Sequence, residues 1–207
     1  VPVRAHKGIL RFSVMVEGKS AHGSTPEFGV NAVQNMVEVI LKFRELEKEM
    51  TGTKNHLLGS TTMSLGLIQG GDVVNKVPES CVIDIDCRRI PEDSSEMIMT
   101  KVRDVVGKLG ESDPNFKASV AVTMERPTLD VPESNELVQL IQNMLMKKSD
   151  GVPYLTEAVV YTINQMPCVV LGPGRIEQAH IVDEYVDLDQ LEKGVKLYRN
   201  IISKTCL

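Results

Sequence analysis

Two segments of alternating polarity, residues 9–16 and 80–88, most constrain what this chain can fold into. In the first, the apolar side chains that would share a face are Leu10, Phe12, Val14 and Val16. In the second, they are Cys81, Ile83, Ile85 and Cys87, opposite Asp84, Asp86 and Arg88. A period of two residues is typical of a strand with one buried and one exposed face. Each segment is therefore predicted to be a half-buried strand.

Two helices and two further strands are predicted around these two segments, in an order that is typical of a known fold. The other predicted elements are a helix over 32–50, a strand over 59–69, a helix over about 95–109 and a strand over 116–124. Asn31 can cap the first helix, and Ser94 or Ser95 can cap the second. The resulting order, β-α-β-β-α-β, is the split βαβ or ferredoxin-like arrangement.

The chain changes character after a proline-rich stretch that ends at Pro132. The predicted elements there are a helix from Ser134 to about 148, a short helix over 156–164, a strand over 166–171 and an amphipathic helix over 188–203. One convincing strand cannot make a doubly wound sheet. We therefore expect this segment to be part of a larger α/β domain, and the chain, which is in a strand within ten residues of Val1, to be a piece of a longer protein.

Charge and composition exclude several classes of function. The net charge is −5 and the pI about 5.5, so no basic surface indicates nucleic acid or an anionic membrane as a partner. No apolar run approaches the roughly 20 residues that span a bilayer. The four cysteines form no CxxC pair and no signal peptide opens the chain, which favours reduced thiols and a cytoplasmic location.

His180 is the first candidate functional residue. It follows the Gly172-Pro173-Gly174 turn by six residues and precedes Asp183-Glu184. A histidine beyond a strand that ends in a glycine turn is a natural metal ligand at a sheet edge. The simpler reading is a histidine paired with a neighbouring carboxylate. A catalytic zinc takes three protein ligands, and no second histidine lies close in sequence.

Three further polar residues have both a functional and a simple reading. His22, among small residues, is either an exposed loop histidine or a donor to a developing oxyanion. Asn75 is either a turn residue or a ligand contact. Arg88 either pairs with Asp84 or Asp86 on its strand face, or holds a substrate carboxylate in bidentate geometry.

Taken in order, four motifs resemble the M20 metallopeptidase and deacylase family. They are KGILRFSVMVEGKSAHGSTPEFGVNAV, GGDVVNKVPESCVIDIDCRRIPED, TEAVVYT and PCVVLGPGRIEQAHIVDEYV. The resemblance covers essentially the whole chain and is strongest to the branch of acetylornithine deacetylases and succinyl-diaminopimelate desuccinylases. It implies a ferredoxin-like lid and dimerisation domain over residues 1–116. The C-terminal portion of a zinc-peptidase-like α/β catalytic domain would follow over 117–207.

The resemblance also implies roles for individual residues. His180 would be a metal ligand, and His22 would stabilise the oxyanion in the site of a partner subunit. Asn75 and Arg88 would bind the substrate carboxylate, beside a turn formed by Gly172 and Gly174. The full-length protein would hold two ions of zinc or cobalt. The other ligands and the glutamate general base would precede Val1, so this chain alone is expected to be inactive and to bind zinc weakly or not at all.

The expected function is metal-dependent hydrolysis of the N-acyl amide bond of an amino acid by a homodimer joined through the lid. A carboxypeptidase or dipeptidase of the same family is the first alternative, with a dipeptide as substrate. A non-catalytic dimerisation or ligand-binding module is the alternative of another class. No nucleic-acid or membrane partner is expected.

Overall fold

A computed structural model describes residues 1–206 of the chain. The strands are β1 (Val3–His6), β2 (Gly8–Glu17), β3 (Thr62–Gly70), β4 (Ser80–Arg89), β5 (Lys117–Arg126), β6 (Leu129–Asp130) and β7 (Asp150–Val152). The helices are α1 (Ala32–Met50), α2 (Ser95–Ser112), α3 (Glu136–Leu145), α4 (Ala158–Ile163) and α5 (Leu188–Thr205). Over residues 1–206, none of the helices has the length and apolar character that crossing a membrane would require.

The chain divides into two compact units. The first unit contains residues 5–130 and 151–166, and the second contains residues 1–4, 131–150 and those from Pro167 onward. A four-stranded antiparallel sheet in the first unit has the order β3-β4-β2-β5, and a small three-stranded sheet has the order β6-β1-β7.

The four-stranded sheet confirms the predicted β-α-β-β-α-β arrangement. Its elements follow the chain as β2, α1, β3, β4, α2 and β5, and its two outer strands, β3 and β5, leave one long edge each unpaired within the sheet. β5 begins at Lys117 and pairs with β2 from Arg126 opposite Ile9 to Lys117 opposite Glu17. The sheet therefore extends past the expected domain boundary between residues 116 and 117.

One face of this sheet carries the core. The alternating apolar residues of β2 and β4 pack against α1 and α2, and the buried members include Leu10, Phe12, Val14, Ile83, Ile85, Met36, Val39, Ile98 and Val102. The rings of Phe12 and Phe43 meet edge to face, with centroids 6.3 Å apart and planes at 74°. The period-two pattern thus buries one face, as predicted.

Helix caps follow the sequence closely in the first unit and less closely in the second. The Asn31 side chain accepts from the Val33 and Gln34 amides, and the Ser94 side chain accepts from the Met97 amide. The predicted Ser134 cap is wrong, because Asn135 accepts from the Leu137 amide instead.

The strand predicted over 166–171 is also wrong. Only Val170 pairs there, in a single antiparallel bridge with Val3, and no residue of the segment is fully buried. An apolar run forms a strand only where a neighbouring strand pairs with it along its length. Among the described residues, only Val3 pairs with this segment.

Candidate functional site

The loop that carries His22 lies along the segment that precedes β4. The Val77 amide donates to the Ala21 carbonyl at 2.9 Å, and the Gly23 amide donates to the Asn75 carbonyl at 2.7 Å. A Cβ at Gly23 would lie 3.0 Å from the Asn75 carbonyl oxygen, so a side chain would crowd this approach. The sequence thus brings two of the predicted site residues, His22 and Asn75, to one end of the four-stranded sheet.

The His22 ring is exposed and its orientation is held by Ser24. Nδ1 accepts from the Ser24 amide at 3.2 Å and lies 2.7 Å from the Ser24 hydroxyl oxygen. Because Nδ1 accepts from an amide, a neutral ring carries its hydrogen on Nε2. That nitrogen has no hydrogen-bond partner among the described residues. The arrangement offers an N–H donor to a ligand.

The segment after β3 is held by charge pairs around Lys76. Its Nζ donates to Asp72 at 3.1 Å and lies 3.4 Å from Glu79. The hydrogen bond to Asp72 raises the pKa of Lys76, and the same bond lowers the pKa of the Asp72 carboxyl. The Asn75 side chain, one residue earlier, is exposed and has no partner within residues 1–206. Its amide is therefore available to a ligand.

Arg88 lies at the other end of β4, with its side chain on the face of the sheet opposite the core. Its Nε donates to Asp86 at 2.6 Å, and Arg11 Nε donates to the other oxygen of Asp86 at 2.7 Å. Burial would by itself raise the pKa of the Asp86 carboxyl, but these two hydrogen bonds outweigh it and lower that pKa. The ion pair with Asp86, one of the two readings of Arg88, is thus present, and it leaves the terminal guanidinium nitrogens unbonded.

The two ends of β4 are far apart. Arg88 lies eight residue steps after Ser80, and at about 3.3 Å per step the two positions are about 26 Å apart. His22 and Asn75 lie beyond the Ser80 end, because Val77 pairs with Ala21 there. One copy of the chain therefore does not bring Arg88 to the same small ligand as His22 and Asn75.

The glycine turn predicted beside the substrate lies in the second unit. Gly174 has φ +95°, a conformation that favours glycine, and its amide donates to the Gln190 side chain at 2.8 Å. A Cβ at Gly172 would meet nothing within 4 Å, so the described residues impose no steric need for glycine there. The two glycines thus differ: Gly174 serves the backbone turn, and Gly172 has no structural explanation within the described chain.

His180 is exposed, with φ +62°, and its backbone amide donates to a Glu184 carboxylate oxygen at 2.9 Å. Across residues 1–206, no three histidine, cysteine, aspartate or glutamate side chains gather in a way that could hold a metal ion. The described residues therefore do not by themselves fit a metal centre. His180 could supply one ligand to a site whose other ligands lie elsewhere.

Two contacts of these candidates were not anticipated from the sequence. Ser24 fixes the His22 ring, and Gln190 accepts from the Gly174 amide. Ser24 could have been found, since a serine two residues after a histidine is within reach of its Nδ1. Gln190 lies sixteen residues beyond Gly174 on α5, and no local pattern links them.

The first unit is a four-stranded antiparallel sheet with two helices packed on one face and polar side chains exposed at its ends. A family described as the peptidase dimerisation domain of M20 proteins matches residues 4–114. This match covers more than half of the chain, and the chain belongs to the M20 peptidase family.

Curated relatives agree with this assignment. The chain is 32% identical to the acetylornithine deacetylase of Proteus mirabilis (strain HI4320) over 209 residues, covering 100% of this chain and 54% of the relative. It is also 32% identical to that of Klebsiella pneumoniae (strain 342), covering 99% and 54%. The chain thus spans about half the length of the curated relatives it matches.

Solved structures confirm the fold. A tripeptidase from Staphylococcus aureus superposes with a TM-score of 0.73 at 21% identity, covering 97% of this chain and 52% of the other. An aminopeptidase from Bacillus cereus superposes with a TM-score of 0.74 at 20% identity, with the same coverage.

Proposed function

We propose that this chain is part of a metal-dependent amidohydrolase that cleaves the N-acyl amide bond of an amino acid, as an acetylornithine deacetylase does. The observation that carries the proposal is the exposed His22 ring, whose Nδ1 accepts from the Ser24 amide, on a loop that hydrogen-bonds to the Asn75 backbone carbonyl. The acetylornithine deacetylases at 32% identity support this substrate class. The second candidate is a peptidase of the same family, because a tripeptidase and an aminopeptidase share this fold.

His22 would act on the oxyanion that forms when the amide carbon becomes tetrahedral. One N–H placed where negative charge develops lowers the barrier by on the order of 3 kcal/mol in comparable sites. Asn75 would donate to the substrate carboxylate from the same end of the sheet. Arg88 would donate to that carboxylate from its two terminal nitrogens, since only its Nε is used in the hydrogen bond to Asp86.

The distance between the ends of β4 supports a site whose donors come from two chains. His22 and Asn75 of one copy would meet a ligand held by Arg88 of another, because about 26 Å separates these ends within a copy. The proposed partner is therefore a second copy of this chain.

The outer edge of β3 is the surface best suited to that pairing. Leu65, Leu67 and Ile68 of β3 are 44%, 61% and 53% exposed, and α1 adds the exposed Val37 and Leu41. An unpaired apolar strand edge is a template for another strand. The β5 edge instead carries charged residues at both ends of the strand, Lys117 and Arg126.

The metal would be held by His180 together with residues of the longer protein. Zinc or cobalt, two ions in the full-length protein, would activate water as the nucleophile. We expect the 207-residue chain alone to bind zinc weakly and to hydrolyse no acetylornithine. Four cysteines without a disulfide are compatible with a cytoplasmic location, which we propose as well.

Variants of the full-length protein that contains this chain test the roles of the donors. His22→Ala should lower kcat for an N-acetyl amino acid about 100- to 1000-fold with little change in KM. Glu27→Ala, an exposed change in the same loop, should leave both constants unchanged. An unchanged kcat in His22→Ala would remove the proposed oxyanion role, and a panel that includes dipeptides separates the two substrate classes.

Mixing variants tests whether two chains share a site. Full-length His22→Ala and Arg88→Ala proteins should each be strongly impaired, and their mixture should recover activity as mixed pairs form. Leu67→Glu should convert the 207-residue chain to a monomer in sedimentation, while Val122→Glu on the β5 strand should not. A mixture that stays inactive, or a wild-type chain that sediments as a monomer, counts against this arrangement.

A further inference from the structure

Two hydrogen bonds from one face of α5 hold the glycine turn, residues 172–174. The Gln190 side-chain oxygen accepts from the Gly174 amide at 2.8 Å. About two helical turns later, the Tyr198 hydroxyl donates to the Leu171 carbonyl at 2.5 Å. Residues four and eight apart share a face of a helix, since about 3.6 residues make one turn. The two bonds therefore fix the backbone on both sides of the turn from a single face of α5.

The Gln190 side chain is itself oriented by Asp187, which lies just before α5. Its Nε2 donates to an Asp187 carboxylate oxygen at 3.0 Å. An ionised carboxylate only accepts hydrogen bonds, so this contact turns the amide nitrogen of Gln190 towards Asp187. The amide oxygen then faces Gly174, where an acceptor is needed. The bond to the turn is thus supported by a second bond within α5 and its cap.

These contacts leave one backbone donor of the turn unused. Pro173 has no N–H, and the Gly174 N–H is bonded to Gln190. The Gly172 N–H has no hydrogen-bond partner within residues 1–206, and Gly172 is exposed. An added Cβ at Gly172 would meet nothing within 4 Å, so the described residues leave the space beside it open. The turn is held from α5 while its free N–H stays accessible.

The Tyr198 bond also acts on this free donor. The Leu171 carbonyl and the Gly172 N–H belong to one peptide group, because the peptide bond joins the carbonyl carbon of Leu171 to the nitrogen of Gly172. A hydrogen bond accepted by the carbonyl polarises the group and strengthens its N–H as a donor. Tyr198 therefore both fixes the turn and favours donation from Gly172.

We infer that Gln190 and Tyr198 are positioning residues that hold the glycine turn against a bound substrate. The inference rests on the proposed function, which puts this turn beside the substrate. The two side chains would act through the turn and not by contact with the substrate. Held at both ends, the turn would present the Gly172 N–H to a substrate oxygen in one orientation, without the entropic cost of ordering the segment on binding.

Nuclear magnetic resonance of the 207-residue chain labelled with ¹⁵N-glycine tests the two contacts. Gln190→Leu should speed hydrogen exchange of the Gly174 amide about fivefold, the ratio expected on loss of one neutral hydrogen bond. Tyr198→Phe removes only the hydroxyl and should move the ¹⁵N signal of Gly172, whose peptide group loses its polarising bond. Tyr161→Phe, a matched loss of hydroxyl from an exposed tyrosine on α4, should change neither signal.

Kinetics of the full-length protein test whether the turn is positioned for the substrate. Gln190→Leu and Tyr198→Phe should each raise KM for an N-acetyl amino acid about fivefold and change kcat less than about twofold, because the turn binds the substrate and takes no part in bond breaking. Since both residues act through one turn, the double variant should raise KM by less than the product of the single effects. A merely structural role would lower stability and leave the KM of the folded enzyme unchanged.

Gly194→Ala is the matched control on the same face of α5. Gly194 lies midway between the two bonding residues, and an added Cβ would be 3.8 Å from Pro173 Cδ, an ordinary contact. Alanine is the better helix former, so this change should stabilise α5. It should leave KM and the exchange rate of the Gly174 amide unchanged. The control separates an effect on the helix from an effect on the turn.

The outcomes separate this inference from the proposed function. An unchanged Gly174 exchange rate in Gln190→Leu, or an unchanged KM in both single variants, overturns the inference. Either result would leave hydrolysis by the wild-type full-length protein unaffected. If the full-length protein hydrolyses no N-acetyl amino acid while both variants change the glycine signals, the hold of α5 on the turn is supported and the proposed function fails.

Discussion

Replacement of Phe12 by alanine tests the packing that joins β2 to α1. Phe12 is fully buried, and its ring meets Phe43 of α1 at 6.3 Å between centroids. Truncation of a buried phenylalanine removes its transfer free energy and leaves a cavity, together about 4 kcal/mol. The edge-to-face pair contributes about 1 kcal/mol of that beyond the buried area. Phe12→Ala should therefore lower the local free energy of unfolding of β2 by about 4 kcal/mol.

Hydrogen exchange of the β2 amides measures this free energy for the first unit by itself. A cycle of Phe12→Ala, Phe43→Ala and the double variant should give a coupling of about 1 kcal/mol. Phe28→Ala is the matched control, since Phe28 is 67% exposed and its loss should cost less than about 0.5 kcal/mol. A cost below about 1 kcal/mol for Phe12→Ala, or additive costs in the cycle, would refute the packing of α1 on this face.

Three further changes follow from individual contacts. Asn31→Ala removes the acceptor for two amides of α1 and should cost about 1 kcal/mol, measured by hydrogen exchange in the first turn. Burial raises the pKa of the Cys87 thiol to about 12, so a thiol reagent at about pH 8 should modify the exposed Cys206 and leave Cys87 unmodified until denaturant is added. The pKa of Asp86 is lower in the folded chain than the value of about 3.9 expected in the unfolded chain. This difference stabilises the fold above pH of about 3.9, and the stabilisation is lost as pH falls through the folded pKa. Asp86→Asn should therefore weaken the dependence of the free energy of unfolding on pH in the acid range.

The first unit could be predicted from the sequence because local and long-range signals agree there. The alternation in β2 and β4 assigns one face to the core, and Asn31 and Ser94 mark the starts of both helices. The β-α-β-β-α-β order then favours the ferredoxin-like fold, in which two helices cover one face of a four-stranded sheet.

The short strands could not be predicted because long-range pairing creates them. β1 reads Val-Arg-Ala-His, in which only two of four residues are apolar, yet Ala5 and His6 are fully buried and lie opposite Asp130 and Leu129. The segment 166–171 shows the reverse case, with an apolar pattern and a single bridging residue. In both, the state of the backbone depends on whether a partner strand exists.

The motifs propose individual site residues but do not indicate their arrangement. The motifs propose His22, Asn75 and Arg88, whereas the separation between them follows only from the register of β4 with β2 and β3.

The separation of the two ends of β4 has a consequence for how activity would depend on concentration. If a complete donor set needs the His22 end of one chain and the Arg88 end of another, no set exists in a lone chain. The population of working sites then follows mass action in the chain, and dilution below the dissociation constant should extinguish turnover while every chain stays folded. A dimer with twofold symmetry would contain two complete donor sets, because the symmetry axis that brings the His22 end of the first chain to the Arg88 end of the second also does the reverse.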